Sequence, residues 1–134
     1  MLDTNICIYI IKQKPPDVIK RIYQTEISEV GFSSITLSEL LYGVSKSSKP
    51  EQNQIALAQF IAPLDILSYD DEAAQNYGEL RAYLEKHSKP IGPLDRLIAA
   101  HALSTKCVLI TNNEQEFIRV PNLKIGNWVN PKVA

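Results

Sequence analysis

The chain has 134 residues, 45% of them hydrophobic and 22% charged, with a net charge of −1. Such a composition describes one globular domain with enough apolar material for a core; it excludes a disordered chain and a protein that is basic overall. No apolar run reaches membrane-spanning length and no leader with a basic start is visible, so the sequence predicts a single domain over 1–134 working in the cytoplasm.

"MLD" is a strand remnant, and Ile6, Tyr9 and Ile10 then follow helical spacing. "KPP" breaks the chain and starts a second helix, with Pro16 in its first turn and Ile19, Ile22 and Tyr23 as its stripe. "VGFSS" reads as a short strand. Leu37, Leu40, Leu41 and Val44 then mark an amphipathic helix, and Leu57, Phe60, Ile61 and Leu64 mark another after the "KSSKP" loop. "LDILSY" is the next strand.

"DDEAAQNYGELRAYLEKH" follows as a long helix with acids in its first turn and Ala73, Tyr77, Leu80 and Leu84 facing inward. "LDRLIAAHAL" is a helix rich in small residues. "CVLIT" has the continuous apolar character of a strand buried on both faces. "NNEQEF" is a turn or short helix, and "LKIGNW" a last strand. Cys7 and Cys107 sit inside apolar runs, as small buried hydrophobes do. Short apolar strands alternating with helices predict an α/β fold with a mainly parallel sheet covered on both faces. Ligand sites in such sheets lie at the carboxyl ends of the strands, where the next helices begin.

Three acids occupy predicted helix starts. Asp3 can cap the first helix, Thr36 and Glu39 fit a capping box, and Asp95 sits where a helix dipole favours negative charge. Each has this local explanation. A parallel sheet would also bring the three to one edge, and clustered carboxylates need a counter-ion. Mg²⁺ or Mn²⁺ is the cation such oxygen donors suit. His101 continues the apolar period of Leu94, Leu97 and Ile98 and reads as a packed histidine. His87 lies at a polar helix end, and Asp70, Asp71 and Glu72 read as dipole-favoured acids. Lys12, Lys14, Lys46, Lys49 and Lys89 read chiefly as solvated charge, and Arg96, beside Asp95, is the foremost candidate for a phosphate contact.

"MLDTN", "SSITLSELLYG", "PIGPLDRLIAAHA" and "LITNNEQEF" resemble, in order, the motifs of PIN-domain ribonucleases, in particular the VapC toxins of bacterial VapBC toxin–antitoxin modules. The resemblance spans nearly the whole chain. It implies a three-layer α/β/α domain and a metal-dependent endoribonuclease acting on RNA, tRNA among its candidate substrates. An antitoxin would restrain it, with a homodimer and larger toxin–antitoxin complexes as assemblies. It makes Asp3, Glu39 and Asp95 the metal-holding catalytic acids, Mg²⁺ the cofactor with Mn²⁺ as substitute, and Glu116 a further catalytic acid. It marks Thr4, Asn5, Arg96, Asn112 and Asn113 as substrate contacts. The fourth motif departs from the family pattern, since many members carry Asp where this chain has Asn113.

Other readings stay open at this stage. A haloacid-dehalogenase-type phosphatase usually has a second Asp two residues after the first, and Asn5 stands there. A phospho-accepting receiver needs a Lys after a late strand, which "CVLITNN" lacks. A PIN-like domain that only binds a partner is the third alternative, because a neutral fourth motif weakens hard-cation binding.

Overall fold

The computed structural model describes residues 1–129; the last five positions of the predicted domain, 130–134, lie outside them. The chain runs α1 (Thr4–Lys12), α2 (Pro16–Gln24), a 3-10 turn (Ile27–Glu29), β1 (Gly31–Ser33), α3 (Ser34–Ser45), α4 (Pro50–Ile61), β2 (Asp65–Leu67), α5 (Asp71–Lys86), α6 (Pro93–Thr105), β3 (Val108–Ile110), α7 (Glu114–Phe117) and β4 (Lys124–Gly126). No helix among the described residues is long and apolar enough to cross a membrane.

β1 pairs with β2 and β3 with β4, both parallel. The first residues of the chain join the two pairs. Leu2 bridges Ile110 in parallel. Leu2 N donates to Gly31 O at 2.8 Å, Ile110 N to Met1 O at 2.8 Å and Asp3 N to Ile110 O at 2.9 Å. The order across is therefore β2, β1, Met1–Asp3, β3, β4, and Asp3 leaves the middle of the sheet. The β1–β2 contact is tight: a Cβ at Gly31 would come within 2.8 Å of Asp65 O, so only glycine fits there.

Side chains of successive residues alternate between faces. Met1 and Leu109 point into a core with Leu80, Leu84, Ile98 and Phe117, under α5 and α6. Leu2 and Phe32 point into the opposite core with Ile6, Val18, Leu40 and Leu57, under α1 to α4. These two apolar layers give the three-layer α/β/α arrangement expected of the PIN fold.

Several local expectations change. The N-cap of α3 is Ser33, whose hydroxyl accepts from Ile35 N at 3.0 Å. Thr36 and Glu39 therefore form no capping box. Thr36 is the third helical residue, fully buried, and Glu39 lies a turn further on. Leu41 is 40% exposed although Leu40 beside it is buried, so the α3 stripe is narrower than its spacing suggests. Val108 is 46% exposed, so the start of β3 is not buried on both faces. Of the two free cysteines, Cys7 is buried, whereas Cys107 is half-buried beside the Thr105 hydroxyl at 2.9 Å. "NNEQEF" contains the one-turn helix α7.

His101 is packed as expected. It is fully buried, its Nδ1 lies 2.7 Å from Ser33 Oγ and its ring stands edge-on to Tyr69. Burial lowers its proton affinity, against smaller opposing effects of the Asp70 charge and the Ser68 backbone.

Candidate active site

Asp3 is buried at the carboxyl end of the central strand and caps α1. Its Oδ1 accepts from Thr4 N at 2.6 Å and its Oδ2 from Thr111 Oγ1 at 2.6 Å. Burial pushes its proton affinity up, and those two hydrogen bonds pull it part of the way back. The charge of Glu116 pushes it up again. Thr4 Oγ1 donates to Thr36 Oγ1 at 3.1 Å, which ties the first turns of α1 and α3 together.

Asp95 stands in the first turn of α6, after Pro93 has set the helix entry. Its carboxyl pKa rises from 3.8 to about 7. Burial is the largest cause, followed by the charges of Glu116 and Asp3 and a hydrogen bond with Glu116. Glu116, on α7, accepts from Gly92 N with Oε1 and from Asn113 Nδ2 with Oε2, the latter at 2.6 Å. A Cβ at Gly92 would sit 3.5 Å from Glu116 Oε1 and 3.6 Å from Asp95 Oδ2, so the bare glycine faces both carboxyls. Arg119 Nη1, two residues past α7, donates to Pro90 O, a second tie to the loop ahead of α6.

The structure thus brings together Asp3, Asp95 and Glu116, with Asn113 touching Glu116. Glu39 is not among the charges that act on Asp3 or Asp95. It lines a neighbouring groove with Lys12, Leu40, Gly43 and Asn53. Asn112 is exposed and its Oδ1 accepts from Asn127 Nδ2 at 3.3 Å, and Asn5 is exposed on α1. Arg96 is half-buried, and its Nε has no hydrogen-bond partner among the described residues. Lys12, Lys14, Lys46, Lys49 and Lys89 are exposed.

Oxygen donors of this kind suit a hard divalent cation. Among the described residues, no Lys, Arg or His forms an ion pair with Asp3, Asp95 or Glu116. Nor do any three His, Cys, Asp or Glu side chains there stand close enough to share one ion. Mg²⁺ needs only one or two carboxylates, its other positions being filled by water and phosphate oxygens. The convergence of Asp95, Glu116 and Asp3 meets that smaller demand.

A family model for the PIN domain matches residues 1–123. The chain is 44% identical over 128 residues to a tRNA(fMet)-specific endonuclease VapC from Shigella flexneri, covering 96% of each. It is 45% identical over 129 residues to Ribonuclease VapC2 from Rickettsia felis, again covering 96% of each. This chain belongs to the VapC family of PIN-domain proteins. Among solved structures it matches VapBC2 from Rickettsia felis bound to a promoter DNA fragment, with TM-score 0.90 and 44% identity over 96% of this chain and 97% of that one. DNA-bound VapBC from Salmonella typhimurium matches with TM-score 0.90 and 45% identity, covering 96% of each chain.

In this VapC-family chain, sequence reasoning passed over Thr111 and Gly92. A signal for Thr111 was present. It is a hydroxyl residue directly after the apolar run "CVLI", where a strand ends at the ligand edge of the sheet. Gly92 carried no such signal, since its importance lies in the two carboxyls that converge on it.

Proposed function

We propose that this chain is a metal-dependent endoribonuclease, the toxin of a type II toxin–antitoxin pair, with tRNA as its substrate class. The observation that carries this reading is the convergence of Asp3, Asp95 and Glu116 at the carboxyl edge of the sheet, with no cationic side chain among the described residues paired to them. The names of the relatives, a tRNA(fMet)-specific endonuclease and a ribonuclease, support it.

In this reading Asp3 and Asp95 hold Mg²⁺ or Mn²⁺, with water and phosphate oxygens in the remaining positions, and Glu116 serves as the acid beside Asp95. When bound, such an ion supplies an activated water and charge relief on the phosphate. The chain's own residues do the rest. Thr4 N and Thr111 hold the Asp3 carboxylate in one orientation. Gly92 leaves space beside Asp95 and Glu116. Arg96, half-buried and one residue from Asp95, is the guanidinium placed to contact the RNA backbone. Glu39 acts from the adjoining groove.

The partner is a VapB-like antitoxin, as the VapBC complexes of the structural relatives suggest. The toxin itself works as a homodimer within a larger toxin–antitoxin complex. Exposed Leu41 and Tyr42 on α3 are apolar surface available for such contacts.

The test is purified protein incubated with initiator tRNA, other tRNAs and unstructured RNA, with Mg²⁺, Mn²⁺ or chelator, resolved on a gel. Discrete cleavage that requires the cation supports the reading. Cleavage that survives excess chelator removes the metal from it, and no cleavage of any RNA removes the nuclease.

A further inference from the structure

A run of hydrogen bonds passes through the fourth motif and links the two acidic helix starts. Thr111 Oγ1 donates to Asp3 Oδ2 at 2.6 Å and accepts from Asn113 N at 2.9 Å. Asn113 Nδ2 donates to Glu116 Oε2 at 2.6 Å, and Glu116 Oε1 accepts from Gly92 N. Gly92 O in turn accepts from Arg96 N at 2.9 Å, the bond that closes the first turn of α6 around Asp95. In this run Asn113 alone reaches both ways: its main-chain N–H meets the hydroxyl that holds Asp3, and its amide meets the carboxylate that faces Asp95.

We propose that Asn113 is a positioning residue for the hydrolysis, orienting Glu116 through its side-chain amide. The proposal rests on the nuclease reading above. The chemistry of the contact sets its requirements. Glu116 Oε2 is an acceptor and needs a donor beside it, and an Asn amide brings two N–H groups without charge. An aspartate at the same place would set acceptor against acceptor. Two carboxylates that close cannot both stay ionised without a shared proton or a cation. The neutral residue therefore avoids that conflict and gives Glu116 a donor on each oxygen, Gly92 N–H on one and the Asn113 amide on the other. In that pose Glu116 ties α7 to the loop that delivers Asp95, and Arg119 reinforces the tie by donating to Pro90 O. A direct substrate contact is the competing role for Asn113, and it makes a different kinetic prediction.

The decisive readout needs neither metal nor RNA. The Gly92 amide proton donates to Glu116, so its NMR resonance reports where that carboxylate points. In metal-free protein, Asn113→Ala and the near-isosteric Asn113→Asp should each move the Gly92 resonance, with melting temperatures close to wild type. With saturating Mg²⁺, both should lower kcat about 10- to 100-fold, the range expected when a reacting group is misplaced by around an ångström. KM for RNA should stay within about twofold, since the lost contact serves the transition state rather than substrate binding. In a Glu116→Ala background, Asn113→Ala should cause no further loss, because the two act as one unit.

An unmoved Gly92 resonance in the folded Asp variant would overturn the proposal. So would an Asn113→Asp protein with wild-type or higher kcat, or a rise in KM at constant kcat, which would assign Asn113 to substrate. A wild-type protein that cleaves no RNA would remove the nuclease reading alone, because the Gly92 resonance still decides whether Asn113 orients Glu116.

Discussion

Thr111 donates a 2.6 Å hydrogen bond to Asp3 across 108 positions of sequence. Both residues are buried, and both stand where neighbouring parallel strands end. The bond therefore joins the first turn of the chain to the fourth motif. It is also one of two contacts that hold the Asp3 carboxylate against the cost of its burial.

Thr111→Val keeps the shape of residue 111 and removes its donor. Asp3 Oδ2 is then buried without a partner, which costs about 1–3 kcal/mol. Proton affinity at Asp3 should rise further, since the lost bond had lowered it. Urea denaturation should show the loss of stability, while Thr111→Ser should restore most of it together with RNA cleavage. A Val variant as stable and as active as wild type would assign no role to this bond.

Asp3→Asn and Asp95→Asn should abolish cleavage and keep the fold. The Thr111 hydroxyl already accepts from Asn113 N and has a second lone pair to accept from an Asn amide, so the cap survives the loss of charge. Growth arrest on expression of the chain alone should vanish in both variants. Arrest that persists equally in Asp3→Asn would show that the toxicity is not nucleolytic.

Asp95 makes the metal-free protein sensitive to pH. Its folded pKa of about 7 lies above the ordinary 3.8, so between those values the folded state binds more protons than the unfolded state. Stability is then greatest below the ordinary carboxylate range and declines as pH rises through the folded pKa. Asp3, also shifted upward, acts in the same direction. In chelator, the melting temperature should fall between about pH 4 and about pH 7, and Asp95→Asn should flatten the slope. Added Mg²⁺ should recover more stability at the alkaline end, because it favours the ionised carboxylates. A profile unchanged by Asp95→Asn would remove this residue as the source.

Glu39→Gln separates its two roles. Glu39 closes no capping box, since Ser33 caps α3, so a purely structural Glu39 should cost well under about 1 kcal/mol when replaced. A Glu39 that serves the ion from the adjoining groove should cost at least about tenfold in rate at limiting Mg²⁺, with partial recovery at high Mg²⁺. Equal rates across a Mg²⁺ titration would leave Glu39 to the groove.

The order of helices and strands, and the strand edge at which the acids gather, can be read from local patterns. Helical stripes such as Ala73, Leu80 and Leu84, the break at Pro16 and the acid in the first turn of α6 are patterns within a few residues, governed by backbone period and capping. Asp3 as a cap was legible for the same reason. The partners of these side chains come from packing. Thr36 reads as a cap in isolation, yet packing against α1 buries it on Thr4 and hands the cap to Ser33. Glu39 belongs with Asp3 by motif order, but the direction of its side chain from α3 sets it in a groove beside Lys12. Glu116 follows a neutral Asn pair, and the approach of α7 to the loop before α6 brings it onto Gly92 and Asp95. These contacts join residues far apart in the chain. Strand order, register and the packing of α7 fix them, and no local pattern encodes those three.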